Sequence, residues 1–299
     1  MHRDPATVPT SAGPVVVHRS GSGPAVVLLH ANPGDSRDFS AVLPALSEHF
    51  TVYAVDWPGY GQSPPPQPPS SATAMGYALL VPQVLNALGI EHAAFIGNSV
   101  GGYCAVRFAL EHPGRVRALV LVNSGGFTRP TPPGRAFVRV KGTEAATRLL
   151  AGWLSRRYLR RRNRTVAEML ARDDARRDDP AAIAVEAAIW RSFNDPAHDL
   201  RAAAGGLTVA TLLAWGTRDP LLGRDGRRAR RLLPHATWSP LPTGHAPYAE
   251  APGEFLAVAL PFLRRRHPGR CVTQNTPFPG HPGRKTARVC RTHSAECQG

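Results

Sequence analysis

The chain has 299 residues, of which 42% are hydrophobic and 19% charged, a composition that indicates a folded protein with a sizeable core. It contains no apolar run approaching the roughly 18 residues that a membrane-spanning helix requires, and its N-terminus lacks the apolar stretch of a secretory signal. We therefore expect a cytoplasmic protein without a membrane span.

The formal net charge of +15 raises the question of a nucleic-acid partner. Part of the excess lies at the C-terminus, where eight Lys and Arg from Arg264 onward stand against one Glu. A second basic cluster, RRYLRRRNR at 156–164, accompanies apolar residues at helical spacing and is typical of the solvated face of a helix. Because no nucleic-acid-binding motif accompanies either cluster, we predict a small-molecule substrate and no specific nucleic-acid partner.

Short apolar runs rich in Val, Leu and Ala predict the strands of the protein. They lie at 24–30, 51–55, 93–97, 118–122 and 209–215. The runs are continuous rather than alternating, which is the pattern of parallel strands covered on both faces. Helical patterns, AMGYALLVPQVLNALG and GGYCAVRFALEHPG, stand on either side of the third run. The sequence therefore predicts an α/β fold with a doubly wound, mostly parallel sheet.

The alternation of strands and helices stops after the fourth run. An Arg- and Ala-rich stretch of helical period follows, with no convincing strand, and predicts a helical cap inserted between two late strands. The basic end of the chain lacks hydrophobic periodicity, so we expect it to be a disordered tail. The predicted boundaries are an N-terminal extension at 1–12, a core at 13–124 and 206–264, a cap at 125–205 and a tail at 265–299.

The four cysteines do not form a disulfide framework, because three of them fall in the last thirty residues. Cys104 belongs to an apolar helical pattern. Four residues near the C-terminus have side chains that could bind a metal: His281, Cys290, His293 and Cys297. Their spacing matches no common zinc site, so we predict no metal and no cofactor.

The stretch GNSVG at 97–101 indicates a nucleophilic serine. Small residues two positions before and after Ser99 allow a strand to turn sharply into a helix, which leaves the serine hydroxyl clear of the backbone. A serine needs a base, and the base needs an acid that fixes its tautomer. Asp219 follows the apolar run LLAW, and His245 lies in the segment PTGH. Both fit the carboxyl edge of a sheet, so they are the candidate acid and base.

Five segments, in this order along the chain, resemble those of the α/β-hydrolase superfamily: GSGPAVVLLHANPG, DWPGYGQS, IGNSVGG, LLAWGTRDPLL and LPTGHAPYAEAPGEF. The resemblance covers roughly residues 13–264. It implies a triad of Ser99, Asp219 and His245 acting without a cofactor.

The negative charge that develops on the substrate oxygen needs hydrogen-bond donors. The backbone N–H of Val100 opens the helix after Ser99 and is one candidate, since it lies at the positive end of that helix. The resemblance implies the N–H of Asn32 as the second donor. Ala31 stands where the family usually has a glycine, which would strain the backbone if that position had a positive φ.

Three interpretations of the function remain open from the sequence. The resemblance favours a capped serine hydrolase that cleaves small or medium carboxylic esters through an acyl-enzyme. GNSVGG and LVNSGGF also resemble serine hydrolases that cleave carbon–carbon bonds in vinylogous diketones. The third interpretation is a noncatalytic ligand receptor. The aspartate-nucleophile chemistry of haloalkane dehalogenases and epoxide hydrolases is excluded because Ser99 cannot form their ester intermediate.

Trp190 is the candidate pocket residue of the predicted cap. It ends the helical pattern PAAIAVEAAIW on the face shared by Ile183 and Ala187. That face must bury against either the core or a substrate cavity. Neither the oligomeric state nor the substrate follows from the sequence.

Overall fold

A single eight-stranded sheet forms the centre of the computed structural model, which describes residues 5–266. Its strands in chain order are β1 (Ala6–Thr10), β2 (Gly13–Ser20), β3 (Ala25–Leu29), β4 (Thr51–Val55), β5 (Ala93–Asn98), β6 (Val116–Val122), β7 (Thr211–Gly216) and β8 (Thr237–Leu241). Across the sheet the order is β1-β2-β4-β3-β5-β6-β7-β8. The β1–β2 and β2–β4 pairs are antiparallel, and every other pair is parallel.

Helices connect most of the strands. Those that precede β6 are α1 (Leu43–Ser47), α2 (Ala74–Ala87) and α3 (Val100–Glu111). Those between β6 and β7 are α4 (Pro132–Lys141), α5 (Glu144–Leu150), α6 (Trp153–Tyr158), α7 (Arg164–Arg176) and α8 (Pro180–Ser192). Those that follow β7 are α9 (Asp225–Leu232), α10 (Pro247–Glu250) and α11 (Pro252–Arg266). Short 3₁₀ turns lie at Ser36–Phe39, Pro69–Ser71, Pro113–Arg115, Pro196–His198 and Ala204–Gly206.

Successive side chains of a strand point to opposite sides of the sheet, and in the central strands helices bury both sets. Val27 and Leu29 of β3 pack in a cluster with residues of α2, α3 and α9. Val26 and Leu28 of the same strand pack in a second cluster with residues of α1 and α11. The mostly parallel, doubly wound sheet that the sequence predicts is therefore confirmed, and β3 to β7 are the five predicted apolar runs.

The N-terminal strands differ from the sequence prediction. Residues 1–12 are expected to be an extension outside the core, but Ala6–Thr10 forms β1 and pairs antiparallel with β2. This hairpin forms one edge of the sheet and contains Pro9 and Pro14. An edge strand with one exposed face and prolines lacks the continuous apolar run that identifies a central strand, which is why the expectation is wrong here.

The end of the core also lies later than predicted. Helix α11 continues to Arg266, so the first two residues of the expected 265–299 tail are helical. Arginines in the last turn are favourable there, because the C-terminal end of a helix dipole is negative. Residues 267–299, which include the four candidate metal ligands, lie outside the described residues.

Side-chain caps divide the Arg- and Ala-rich stretch into separate helices. Thr131, Thr143, Asn163 and Asp179 each accept a hydrogen bond from a backbone N–H in the first turn of α4, α5, α7 and α8, respectively. Gly152, with φ of 71°, separates α5 from α6. The basic cluster at 156–164 therefore does not lie on one helix, because α6 ends at Tyr158.

The strand register brings the carboxyl ends of the central strands to one edge. Leu29 pairs with Gly97, and the last residue of β5 pairs with Val122. On the other side, Gly216 of β7 pairs with Leu241 of β8. The segments that follow β3, β5, β6, β7 and β8 therefore meet at this edge, and they carry all the triad and oxyanion candidates.

The turn from β5 into α3 tolerates no side chain at either flanking glycine. A Cβ on Gly97 would lie 2.6 Å from the carbonyl oxygen of Gly101, and one on Gly101 would lie 2.2 Å from that of Leu29. The backbone of α3 thus approaches β3 and β5 closely enough to exclude even a methyl group.

We predict that Gly101→Ala lowers the free energy of unfolding by about 1–3 kcal/mol, because the methyl group meets rigid backbone. Gly253→Ala is the matched control, since a Cβ there meets nothing within 4 Å and the helix α11 gains up to about 1 kcal/mol from alanine. Chemical denaturation of both variants measures the difference. Equal stability of the two variants would contradict the close approach.

Candidate active site

Ser99 occupies the turn between β5 and α3 in a strained backbone conformation, with φ of 54° and ψ of −115°. Its N–H donates to the carbonyl oxygen of Val122 at 3.1 Å. Its own carbonyl oxygen accepts from the N–H groups of Tyr103 at 3.0 Å and Gly125 at 2.9 Å. These three bonds hold the turn on α3 and on the end of β6, so the serine is fixed by its backbone.

Asp219 and His245 form a buried hydrogen-bonded pair. Asp219 lies in the loop after β7 and His245 in the loop after β8, and Nδ1 of the histidine donates to Oδ2 of the aspartate at 2.7 Å. A neutral imidazole with its proton on Nδ1 presents Nε2 as an acceptor. The carboxylate therefore selects the tautomer that a general base requires.

The carboxylate of Asp219 is held in its charged form. Burial raises the pKa of this group, but the charge of His245 and the hydrogen bonds it accepts outweigh burial and hold the pKa below its usual range. The additional donors are the side-chain amide of Asn123 at 2.8 Å and the N–H of Leu221 at 2.8 Å. An ionised acid at this position stabilises a protonated imidazole beside it.

The loop that carries His245 is tied down on two sides. Its N–H donates to the carbonyl oxygen of Tyr158 at 3.0 Å, and its carbonyl oxygen accepts from the side-chain amide of Asn98 at 3.0 Å. The buried carboxylate of Glu250 accepts from the N–H groups of Gly244 at 2.9 Å and Ala246 at 3.1 Å. The imidazole is thus positioned by β5, by α10 and by the end of α6.

Sequence reasoning missed the two buried asparagines. Asn98 ends β5 and Asn123 directly follows β6, and both are 1% exposed or less. Asn123 has a positive φ of 39°, which asparagine tolerates better than most residues. The sequence did contain a signal for both residues, since each asparagine stands at the end of an apolar run. A side-chain amide buried there must find hydrogen-bond partners nearby.

The two oxyanion candidates have unused N–H groups. Within residues 5–266, neither the N–H of Asn32 nor that of Val100 donates to a protein acceptor. Both residues line the same cavity as Ser99 and His245. Ala31 does not have a positive φ, so the strain considered for alanine at this position does not arise.

His30 fixes the turn before Asn32. Its Nε2 accepts from the N–H of Trp57 at 3.0 Å, and its Nδ1 donates to the carbonyl oxygen of Ala31 at 2.7 Å. Burial lowers the pKa of His30, which agrees with a neutral ring that donates and accepts once each. The side chain of Asn32 is held separately, because its Oδ1 accepts from the hydroxyl of Tyr60.

A cavity of about 370 Å³ contains the candidate residues. This volume lies within the range of small-molecule sites. Beyond Ser99, Val100, Asn32 and His245, its wall is mainly apolar and comes from the helices and loops between β6 and β7 and from the loop after β7. The large apolar side chains that line it are Phe137, Val138, Tyr158, Trp190, Phe193, Leu221 and Leu222.

Trp190 lines this cavity and is also packed. It is 7% exposed, and its ring lies 5.8 Å from that of Phe137 and 5.3 Å from that of Phe193. The ammonium of Lys141 lies 5.6 Å from the centre of the indole and forms a buried ion pair with Glu186 at 2.7 Å. From the sequence, the face of Trp190 was expected to bury against either the core or a substrate cavity. In the structure the indole packs against its neighbours and also lines the cavity.

Within the described part of the chain, no group of three or more His, Cys, Asp or Glu side chains is arranged to hold a metal ion. Among the same residues, no helix has the length and apolar character needed to cross a membrane.

Comparison with known proteins agrees with this geometry. A family model described as the alpha/beta hydrolase fold matches residues 24–252. The chain is 28% identical over 271 residues to a pimeloyl-(acyl-carrier protein) methyl ester esterase of Aeromonas hydrophila, a match that covers 83% of this chain and 99% of that protein. It is 36% identical over 121 residues to a 2-hydroxymuconate semialdehyde hydrolase of Pseudomonas sp., covering 40% of this chain and 42% of that protein.

The fold also matches solved structures. A thermophilic esterase from Thermogutta terrifontis superposes with a TM-score of 0.74 at 23% identity, covering 89% of this chain and all of that one. The family match spans the strand–turn–helix of Ser99 and the loops of Asp219 and His245. The protein therefore belongs to the α/β-hydrolase family.

Proposed function

We propose that the protein is a serine hydrolase that cleaves small or medium carboxylic esters through an acyl-enzyme. The observation that carries this proposal is one cavity that joins a serine on a strained turn, a histidine paired with a buried carboxylate, and two unused backbone N–H groups. Each part supplies one requirement of acyl transfer: nucleophile, base and oxyanion donors.

The proposed reaction has two halves. Oγ of Ser99 attacks the ester carbonyl while Nε2 of His245 takes its proton, and the resulting oxyanion binds the N–H groups of Asn32 and Val100. The tetrahedral intermediate collapses, and the departing alkoxide receives the proton from His245. Water then repeats these steps on the acyl-enzyme and releases the carboxylic acid. Asp219 stays ionised throughout and stabilises the imidazolium.

The helices between β6 and β7 act in this proposal as the cap. They supply Phe137 and Trp190 to the cavity wall, and the residue directly after α8 supplies Phe193, so this segment sets the size of the acyl or alcohol group that fits. A volume of about 370 Å³ with a mainly apolar wall suits small or medium esters. The Aeromonas relative, which is a methyl ester esterase by name, supports ester chemistry.

Cleavage of a carbon–carbon bond in a diketone acid is the second candidate. Arg129 and Arg135 also line the cavity and supply cations that a substrate carboxylate would meet. The relative that favours this chemistry aligns with less than half of the chain. A noncatalytic receptor would not need the ionised acid or the unused N–H groups, and we rank it last.

The test is turnover of a panel of p-nitrophenyl esters and vinylogous diketone acids by the wild-type protein and by Ser99→Ala. We expect hydrolysis of short esters, and a loss of kcat of at least about 1000-fold in the variant. Ser124→Ala is the control, since it removes the hydroxyl of a buried serine that is not part of the cavity wall. Wild-type turnover of the diketone acids alone would favour the second candidate, and turnover that survives Ser99→Ala would overturn the mechanism.

Because Trp190 both lines the cavity and packs, we predict two effects of Trp190→Ala. The free energy of unfolding falls by about 3–5 kcal/mol, and the ratio of kcat/KM for the octanoate to the acetate ester rises about tenfold. Trp153→Ala is the matched control, because that indole is 53% exposed and lies outside the cavity wall. A destabilised Trp190 variant with an unchanged ratio would limit Trp190 to packing.

A further inference from the structure

A second imidazole, in addition to that of His245, lies in the cavity wall. His198 ends the 3₁₀ turn Pro196–His198 and lines the same cavity as Ser99. Its ring centre lies 4.4 Å from that of Tyr103 and 4.8 Å from that of Phe193. Sequence reasoning assigned no role to this histidine, because it follows no motif.

Both ring nitrogens of His198 are unpaired within the part of the chain that the structure describes. Among residues 5–266, no side chain or backbone group forms a hydrogen bond with either ring nitrogen, and Nδ1 is buried. Burial lowers the pKa of His198 to about 4, in spite of the nearby carboxylates of Asp199 and Asp195. The ring is therefore neutral near pH 7, with one nitrogen that donates and one that accepts. Such a ring suits an uncharged oxygen better than an anion.

The imidazole lies across Gly125 from the backbone of Ser99. A Cβ built on Gly125 would lie 3.2 Å from Nε2 of His198 and 3.4 Å from the carbonyl oxygen of Ser99. Gly125 therefore lies between the ring and the backbone of the serine, and its N–H donates to the carbonyl oxygen of Ser99 at 2.9 Å. Ser99 and His198 line the same cavity, so an ester that reaches the serine also enters the space that the ring faces.

We propose that His198 determines specificity by hydrogen bonding to a hydroxyl or ketone oxygen on the acyl chain of the ester, so that the preferred substrates are hydroxyacyl or oxoacyl esters. This inference rests on the proposed ester hydrolysis and names its substrate class. A ring donor and acceptor, one of them buried, that a plain acyl chain leaves unpaired disfavour that chain, whereas an apolar wall would not.

The experiment compares p-nitrophenyl 3-hydroxybutyrate with p-nitrophenyl butyrate. In the wild-type protein we expect kcat/KM to be at least about tenfold higher for the hydroxyacyl ester. His198→Phe keeps the aromatic contacts with Tyr103 and Phe193 but has no nitrogen, and it should bring the ratio close to one. His198→Gln restores a neutral donor and acceptor and should recover part of the preference, which a purely structural role would not.

His112→Phe is the matched control, because His112 lies at the end of α3 outside the cavity wall and its variant should keep the wild-type ratio. A ratio unchanged by His198→Phe would overturn the inference while leaving ester hydrolysis intact. If the protein hydrolyses neither ester, titration calorimetry tests the role of His198 in binding separately from the proposed ester hydrolysis. Methyl 3-hydroxybutyrate should bind Ser99→Ala more tightly than the Ser99→Ala, His198→Phe double variant, and equal affinity would overturn the inference.

Discussion

The site depends on the close approach of α3 to the ends of β3 and β5. Gly97 and Gly101 leave no room for a Cβ, and this contact forces Ser99 into a backbone conformation that few residues other than glycine adopt. The same contact places the first N–H of α3 beside the serine and holds the start of α3 against the carbonyl oxygens of Leu29 and His30, just before Asn32. The positions of the proposed nucleophile and of the proposed oxyanion donors thus depend on one close backbone contact.

The helices between β6 and β7 do more than form a cavity wall. The carbonyl oxygen of Tyr158 accepts a hydrogen bond from the N–H of His245, so the end of α6 helps to position His245. Arg172 of α7 forms ion pairs with Asp35 at 3.2 Å and Asp38 at 2.6 Å, next to the turn that carries Asn32. Changes in these helices are therefore expected to alter the position of the triad as well as the shape of the cavity.

The sequence predicted the features that depend on local pattern. Continuous apolar runs identified β3 to β7, and motif spacing identified Ser99, Asp219 and His245, whose roles remain predictions. The edge strand β1 was missed because only one of its faces is covered, so it lacks the continuous apolar run that identifies a central strand. Asn123 and His198 were missed for a different reason, since their surroundings come from segments dozens of residues away.

Reaction of the protein with a fluorophosphonate, followed by mass spectrometry, tests the central claim most directly. The claim is that the pair of His245 and Asp219 activates Ser99. It predicts a single adduct on the peptide that contains Ser99, formed much more slowly in His245→Gln. No adduct, an adduct on another residue, or an equal rate of labelling in His245→Gln would contradict the account.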